Sequence, residues 1–326
     1  MSDTRASKTE PHIVPIRSVR VTTGSRLHFG LLDVASPFGG VGVMIDSPQT
    51  RVTVRPDGRF RCSAKYEARI VPIVQRIRRW KGLTELPPCF VEVEQAAPSH
   101  FGLGSGTQIS LAVAEGICRC LGLQVQPDVL ISELASRGRR SAVGAHGYLS
   151  GGLIYERGKE DAVLNPTEQR IGIPKEWMVV VIRPAGNPDT VSGDMEGDKF
   201  ASLPQVEPEA AQVLRQLVTG GILPGAERND FALFSTSVQQ YNEQSGRLFE
   251  SVQGGPYNGP EVTEIVRWLR GEGVVGVGQS SWGPGVFAWC ESESEANALS
   301  DRLPTGFDLL AVAHARNQPR LLDELS

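Results

Sequence analysis

Cysteine, histidine and long apolar runs are all scarce in this chain of 326 residues. Its five cysteines, Cys62, Cys89, Cys118, Cys120 and Cys290, are odd in number and contain no C-x-x-C. Cys118 and Cys120 sit two apart on an expected helix, where they point to different faces. The set reads as reduced thiols of a cytoplasmic protein, which excludes a disulfide frame and a zinc site. The five histidines are scattered and form no H-E-x-x-H. The longest apolar run lies near Met178–Ile182, far short of the about 18 residues that span a membrane. Residues 1–15 are polar without an apolar h-region and read as a flexible tail rather than a secretory signal. No sustained period is present, so collagen, coiled coil and solenoid are excluded.

Charge of one sign is lacking too. With 33 basic and 37 acidic residues the net charge is −4, so nothing points to nucleic acid, which favours a strongly basic surface. Lysine is scarce, 6 against 27 arginines. A GC-rich genome accounts for that skew. Phosphate chemistry is compatible with it, because the guanidinium fork grips phosphate and carboxylate. Apolar residues make up 40% and charged residues 21%, the balance of an ordinary globular chain. This length suits one large domain or two modest ones.

Strand-like runs come first, at Val19–Thr23, Gly42–Asp46 and Val52–Arg55. Ile70, Ile73, Val74, Ile77 and Trp80 repeat at helical spacing within 64–80. Cys89–Glu94 alternates as a strand. A second helix carries Ile109, Val113, Ile117, Cys120 and Leu121 on one face, and a third covers about 127–136. Gly138–Gly152 reads as a Gly/Ser-rich stretch before a strand at Leu153–Glu156. Beyond a polar stretch near 160 come a strand at Trp177–Arg183 and a loop at 184–198. Helices are expected at about 205–219, 226–252 and 260–270, with Asn229 as a cap before Phe231. The end reads strand (274–277), Gly-rich turn (278–285), strand (286–291), helix (293–302) and strand (309–314). Strands and helices do not alternate strictly, so the expected class is α+β in two halves, 16–185 and 186–326.

The segment Pro98-Ser99-His100-Phe101-Gly102-Leu103-Gly104-Ser105-Gly106-Thr107-Gln108 stands between a strand and a helix. Its glycines let backbone N–H groups curl around an anion, and the helix adds its positive end. No Gly-Lys-Ser/Thr follows, and Thr107 stands where the dinucleotide fingerprint has its third glycine. A flexible turn with a Ser/Thr cap is the plain alternative.

This Pro-x-x-x-Gly-Leu-Gly-Ser segment resembles the phosphate loop of the GHMP kinase superfamily, which includes galactokinase, homoserine kinase and mevalonate kinase. The resemblance implies a two-lobed α+β fold with the active site between the lobes. Two departures stand out. In the kinases a second Ser of the loop helps hold Mg²⁺, and Gly106 occupies that place here. The kinases also have Ser-Gly-x-Asp, whose Asp serves the acceptor hydroxyl, and Gly144 occupies that place here. An ordinary kinase needs both groups.

One branch fits the departures. Arg26-Leu27-His28-Phe29-Gly30-Leu31-Leu32-Asp33 resembles the opening signature of the β-ribofuranosylaminobenzene 5′-phosphate synthase family. So do Gly102–Gln108, the stretch Arg137-Gly138-Arg139-Arg140-Ser141 through Gly151-Gly152, and Gly278-Gln279-Ser280-Ser281-Trp282-Gly283-Pro284. The four motifs span about residues 20–285. The end departs from the family, because Asn317 is followed by Gln318-Pro319 rather than Gly-Ala, and this suggests a shifted substrate.

The resemblance implies a pentosyltransferase that condenses phosphoribosyl pyrophosphate with 4-aminobenzoate. It releases pyrophosphate and CO₂ in tetrahydromethanopterin biosynthesis, with Mg²⁺ as cofactor. It implies catalytic roles for Arg26, His28 and Asp33. Substrate binding falls to Gly102, Gly104, Ser105, Gly106, Thr107, Gln108, Arg137, Arg140, Ser141, Gln279, Ser280, Ser281 and Trp282. Glu196, in a stretch with Ser192 and Gly193 that also resembles the family, is the expected metal carboxylate. The plain alternatives are a surface salt bridge for Arg26, a half-buried His28, a turn at Asp33, a solvated arginine run and a core Trp282. A cytoplasmic homodimer is expected. An ATP-dependent small-molecule kinase and a non-catalytic binding module on the same fold are the alternative functions.

Overall fold

The computed structural model describes residues 17–186 and 203–325. The expected N-terminal tail, Ser192, Gly193 and Glu196 lie outside the described residues. Two sheets organise the fold. The first contains β1 (Ser18–Leu31), β2 (Gly40–Pro56), β3 (Arg61–Cys62), β4 (Cys89–Gln95), β5 (Leu153–Glu156) and β6 (Thr167–Ile171). The second contains β7 (Met178–Pro184), β8 (Val277–Gln279), β9 (Val286–Cys290) and β10 (Phe307–His314), in the order β10-β7-β9-β8. The last strand, β11 (Leu321–Leu325), returns to the first sheet and pairs antiparallel with β1. The chain crosses from the first sheet to the second before β7, and its end returns to the first sheet.

The two strands expected at 42–46 and 52–55 are one strand, β2. Its first part pairs with β5 and its second part with β4. That is how a single strand spans the sheet and branches it. Helix α1 (Glu67–Lys81) buries Ile70, Ile73, Val74 and Ile77, the expected apolar stripe. Each such side chain contributes about 1.5–3 kcal/mol on leaving water. Helix α2 (Ser105–Cys120) is buried along nearly its whole length, and its apolar residues share a core with α1 and the strands β1, β2 and β4. The expected third helix is a single π-helical turn at Val129–Leu134. The Gly/Ser-rich stretch contains a helix, α3 (Val143–Ser150).

In the second half, α4 (Pro208–Leu217), α5 (Phe231–Arg247), α6 (Gly259–Gly271) and α7 (Glu293–Asp301) accompany the second sheet. The helix expected over 226–252 is broken at Arg228–Asp230. Asp230, not Asn229, caps α5 by accepting the Leu233 amide at 2.9 Å. Asn229 has φ +57° and occupies the turn before the cap. Phe29, Phe234, Phe287 and Trp289 stack together in a core shared by both sheets.

Asn317, the start of the atypical end, has a structural task. Its Nδ2 donates to the Ile173 carbonyl at 2.8 Å and its Oδ1 accepts the Ile173 amide at 2.9 Å. Arg320 then forks onto the buried Glu115 carboxylate, which also accepts the Tyr148 hydroxyl at 2.7 Å. This strap leads β11 back to β1. Asn317→Ala removes two hydrogen bonds worth together roughly 1–3 kcal/mol. It is expected to lower the midpoint of urea unfolding while leaving substrate KM values unchanged. A raised KM at unaltered stability would place Asn317 in substrate recognition instead.

Candidate active site

A cavity of about 380 Å³ opens where β1, the start of α2, the arginine-rich segment before α3 and the Gly-rich turn after β8 converge. Arg26, His28, Gly102, Gly104, Ser105, Gly106, Thr107, Arg137, Arg140, Ser141, Gln279, Ser281 and Trp282 all line it. Three expected residues do not. Asp33 is outside the lining and its carboxylate accepts the Ala35 amide at 3.0 Å, as a turn residue does. Gln108 is fully buried behind the loop. It accepts from the Thr23 hydroxyl at 2.8 Å and donates to the Gly144 carbonyl at 2.9 Å. Ser280 is buried as well, with its hydroxyl donating to the Gly102 carbonyl at 2.7 Å and accepting the His28 amide at 3.0 Å. Gln108 and Ser280 therefore position the loop rather than face the cavity.

The loop is shaped by glycine. Gly102 and Gly104 have φ of +74° and +68°. A Cβ at Gly102 would meet the Ser280 carbonyl oxygen at 2.0 Å, so only glycine lets the two lobes approach there. Gly104 precedes α2 and brings no side chain to its first amides, while its carbonyl accepts the Thr107 and Gln108 amides. The amides at the start of the helix carry the positive end that suits an anion, as at any helix N-terminus.

Arg26 and His28 alternate with Leu27 on β1 and so share a face. The Arg26 Nη1 donates to the Gly102 carbonyl at 3.3 Å, and its backbone amide donates to the Leu103 carbonyl at 2.9 Å. A Cβ at Gly144, the place of the kinase Asp, would lie 3.5 Å from Arg26 Nε. A guanidinium thus borders the space where a kinase keeps a carboxylate. His28 is buried, with Nε2 2.9 Å from the Ser141 hydroxyl. Burial first, and the Arg26 charge second, hold its pKa well below the ordinary imidazole value, so it is neutral at pH 7.

Arg137 donates to the Ser110 hydroxyl at 3.0 Å from Nη2, and Arg139 to the Ser136 hydroxyl at 3.3 Å. His146 lies away from the cavity, against the Asn165 carbonyl at 2.6 Å. On the opposite wall Trp282 meets Phe249 edge to face, with ring centroids 4.9 Å apart. The Gln279 amide is committed to its own turn. It accepts the Asn258 amide at 2.7 Å and donates to the Ser281 carbonyl at 2.7 Å.

Several contributors carry no sequence signal. Phe249, Gln253 and Ser245 line the cavity. Tyr241, Asn242 and Ser245 of α5 clamp the carbonyls of Gly30, Phe29 and Leu31 at 2.7–2.9 Å. These are polar residues on an amphipathic helix, and the docking of that helix on β1 and β8 gives them partners. Glu156 of β5 lies behind Ser141, fully buried, and accepts the Ala142 amide at 2.7 Å. Burial raises its pKa to about 7, against the Ser141 hydroxyl, the Ala142 amide and the Arg26 charge, which lower it.

The cavity is cationic. Four arginines and two histidines line it, and no Asp or Glu does among the described residues. No group of three or more His, Cys, Asp or Glu side chains among the described residues could hold a metal. The described lining residues thus offer no carboxylate to magnesium, for which carboxylates are the usual protein ligands, and the expected one, Glu196, lies outside the described residues. No helix of the described residues is long and apolar enough to cross a membrane.

The profile of the GHMP kinases N terminal domain matches residues 68–152, and that of the GHMP kinases C terminal domain matches residues 222–309. The chain belongs to the GHMP kinase superfamily. A curated relative from Methanothermobacter thermautotrophicus, named beta-ribofuranosylphenol 5'-phosphate synthase, is 26% identical, covering 91% of this chain and 96% of its own. A relative of the same name from Methanocaldococcus jannaschii is 23% identical over 86% of this chain and 93% of its own. Homoserine kinase from Cytophaga hutchinsonii superposes with a TM-score of 0.68 at 20% identity, covering 94% of this chain and 98% of that one. Mevalonate diphosphate decarboxylase from Staphylococcus aureus gives 0.64 at 13% identity, over 95% and 98%. These structures share the GHMP fold. The α+β class and the two-lobed plan expected from the sequence are those of this superfamily, and the relatives that match over most of the chain are named as enzymes.

Proposed function

We propose that this GHMP superfamily member is a decarboxylating pentosyltransferase. It joins phosphoribosyl pyrophosphate to a benzoate with an electron-donating para substituent, forming a C-riboside 5′-phosphate, pyrophosphate and CO₂. The observation that carries this reading is the charge of the cavity, with four arginines and no carboxylate among its described lining residues. The donor brings a 5′-phosphate and a diphosphate, and the arene brings a carboxylate. Guanidinium groups suit all three anions. The relatives' name specifies a phenol where an aminobenzene is expected from the motifs. Hydroxyl and amino both push electrons to the ring carbon bearing the carboxylate, so 4-hydroxybenzoate and 4-aminobenzoate are the two arenes to compare.

The bond changes balance without a base. The C1–O bond of the ribose breaks and its electron pair leaves with pyrophosphate. The ring carbon bearing the carboxylate attacks the oxocarbenium-like C1. The bond to CO₂ then breaks and its pair restores the aromatic ring. No proton leaves the arene, which accords with Gly144 at the kinase Asp position and with a neutral His28. Arg26 stabilises the charge that grows on the leaving diphosphate. Arg137 and Arg140 bind the second phosphate, and Ser105 and Thr107 offer hydroxyls beside the α2 amides. Trp282 and Phe249 supply an aromatic wall for the arene.

The test is release of labelled CO₂ from carboxyl-labelled 4-hydroxybenzoate or 4-aminobenzoate. Release that requires phosphoribosyl pyrophosphate, with an equal amount of pyrophosphate formed, is the expected result, and the faster arene identifies the para group. ATP hydrolysis driven by an alcohol, with no CO₂ from either arene, would establish the kinase reading in its place.

A further inference from the structure

Arg69 lies in the first turn of α1, outside every motif of the sequence. A Cβ placed on Gly106 would meet its Nη1 at 2.6 Å, its Cζ at 3.4 Å and its Nη2 at 3.6 Å. The guanidinium thus fills the space that any side chain at 106 would take. Gly106 lines the cavity, and it stands where the resemblance to the kinases puts a serine that helps hold Mg²⁺. On the other side of the same turn, a Cβ on Gly104 would lie 3.4 Å from Arg26 Nε. Two guanidinium groups, one from β1 and one from α1, therefore bracket the start of α2.

Some half-buried arginines here have acidic partners, such as Arg320 with Glu115 and Arg183 with Asp308. Arg69 has none among the described residues. Burial lowers its pKa, and the one charge acting against that is the Tyr66 phenol. A half-buried cation without an acid costs stability unless an anion meets it.

The geometry points to Arg69 as a diphosphate-binding residue of the phosphate loop, occupying with its guanidinium the place of the kinases' metal-holding serine. This inference rests on the pentosyltransferase reading and adds a residue and a ligand group to it. Gly106 is then required because its missing side chain admits the guanidinium. A fixed planar fork fits a diphosphate better than a lysine's single ammonium does.

The test is calorimetric titration of the full chain with inorganic pyrophosphate, with and without Mg²⁺. Loss of a charge-assisted fork is expected to weaken pyrophosphate binding about 10-fold or more in Arg69→Gln, with partial recovery in Arg69→Lys. The KM for phosphoribosyl pyrophosphate should rise in parallel, while the KM for the arene stays within about twofold of the original. Gly106→Ser should displace the guanidinium and cost as much as Arg69→Gln, and the double variant should cost no more than either, since neighbours that act as one unit are not additive. Pyrophosphate binding by a folded Arg69→Gln within about twofold of the unaltered protein would overturn the assignment while leaving the pentosyltransferase reading intact. If Arg69→Gln does not fold, Arg69→Lys and Gly106→Ser decide, and unchanged affinity in both overturns it. Failure of the unaltered protein to bind pyrophosphate would overturn both readings together.

Discussion

Arg26→Ala is expected to lower turnover about 10²-fold or more, on the order of 3 kcal/mol of transition-state stabilisation. The guanidinium lies along Gly104, beside the space above Gly144, and reaches the Gly102 carbonyl. In the proposed pentosyl transfer it stands at the phosphate loop, where charge would grow as the diphosphate departs. Its backbone amide bond to Leu103 survives in the alanine variant, so the loop keeps that anchor. A transition-state role lowers kcat and kcat/KM together, whereas a ground-state role raises KM alone. Arg26→Lys should recover part of the loss, because it restores the charge but not the fork. A fall of less than about threefold in kcat with thermal unfolding unchanged would remove Arg26 from the chemistry.

The second large effect concerns stability and pH. Glu156→Gln is expected to stabilise the protein at pH 8 by up to roughly 3 kcal/mol more than at pH 4.5. The folded pKa of Glu156 is about 7, against an ordinary value of 4.5. Between these values the folded chain keeps a proton that the unfolded chain has lost. The stability conferred by the neutral form is full below about pH 4.5, declines as pH rises and is gone above about pH 7. Glutamine is neutral throughout and keeps an oxygen for the Ala142 amide, so it escapes that decline. A difference of this size is a large part of the roughly 5–15 kcal/mol that holds a domain together. Urea unfolding of both proteins across this pH range measures it. Equal differences at both ends would mean that the folded pKa of Glu156 is not raised above its ordinary value. Because Glu156 lies behind Ser141, its ionisation also brings a negative charge toward an anion site. The KM for phosphoribosyl pyrophosphate should therefore rise above pH 7 in the unaltered protein and stay level in Glu156→Gln.

Much of the site was legible as sequence because its parts are short and local. A Gly-rich turn before a helix declares an anion cradle whatever surrounds it, since backbone dihedrals and helix amides make it. Alternation along a strand put Arg26 and His28 on one face. The apolar stripe of α1 followed from periodicity in the same way. The departures at Gly106 and Gly144 were legible as well, as a missing serine and a missing carboxylate.

What each residue does with its side chain was decided by neighbours far away in the chain. Gln108 and Ser280 read as ligand-binding residues, yet each spends its polar atoms on the protein, Gln108 on Thr23 and Gly144 and Ser280 on His28 and Gly102. Asn317, which by its departure from the family suggested a shifted substrate, satisfies the backbone of Ile173. Glu156 and Arg69 lie in no motif, because burial and proximity are properties of packing rather than of local order. The glycine-rich turn before a helix and the periodic elements are legible locally, because they depend on residues within a turn or two of one another, and the departures at Gly106 and Gly144 are legible only beside the kinase motifs. Packing makes β11 return to β1, α5 clamp the end of β1 and an arginine from α1 fill the space above Gly106. Those outcomes depend on contacts across the whole chain, and no local pattern encodes them.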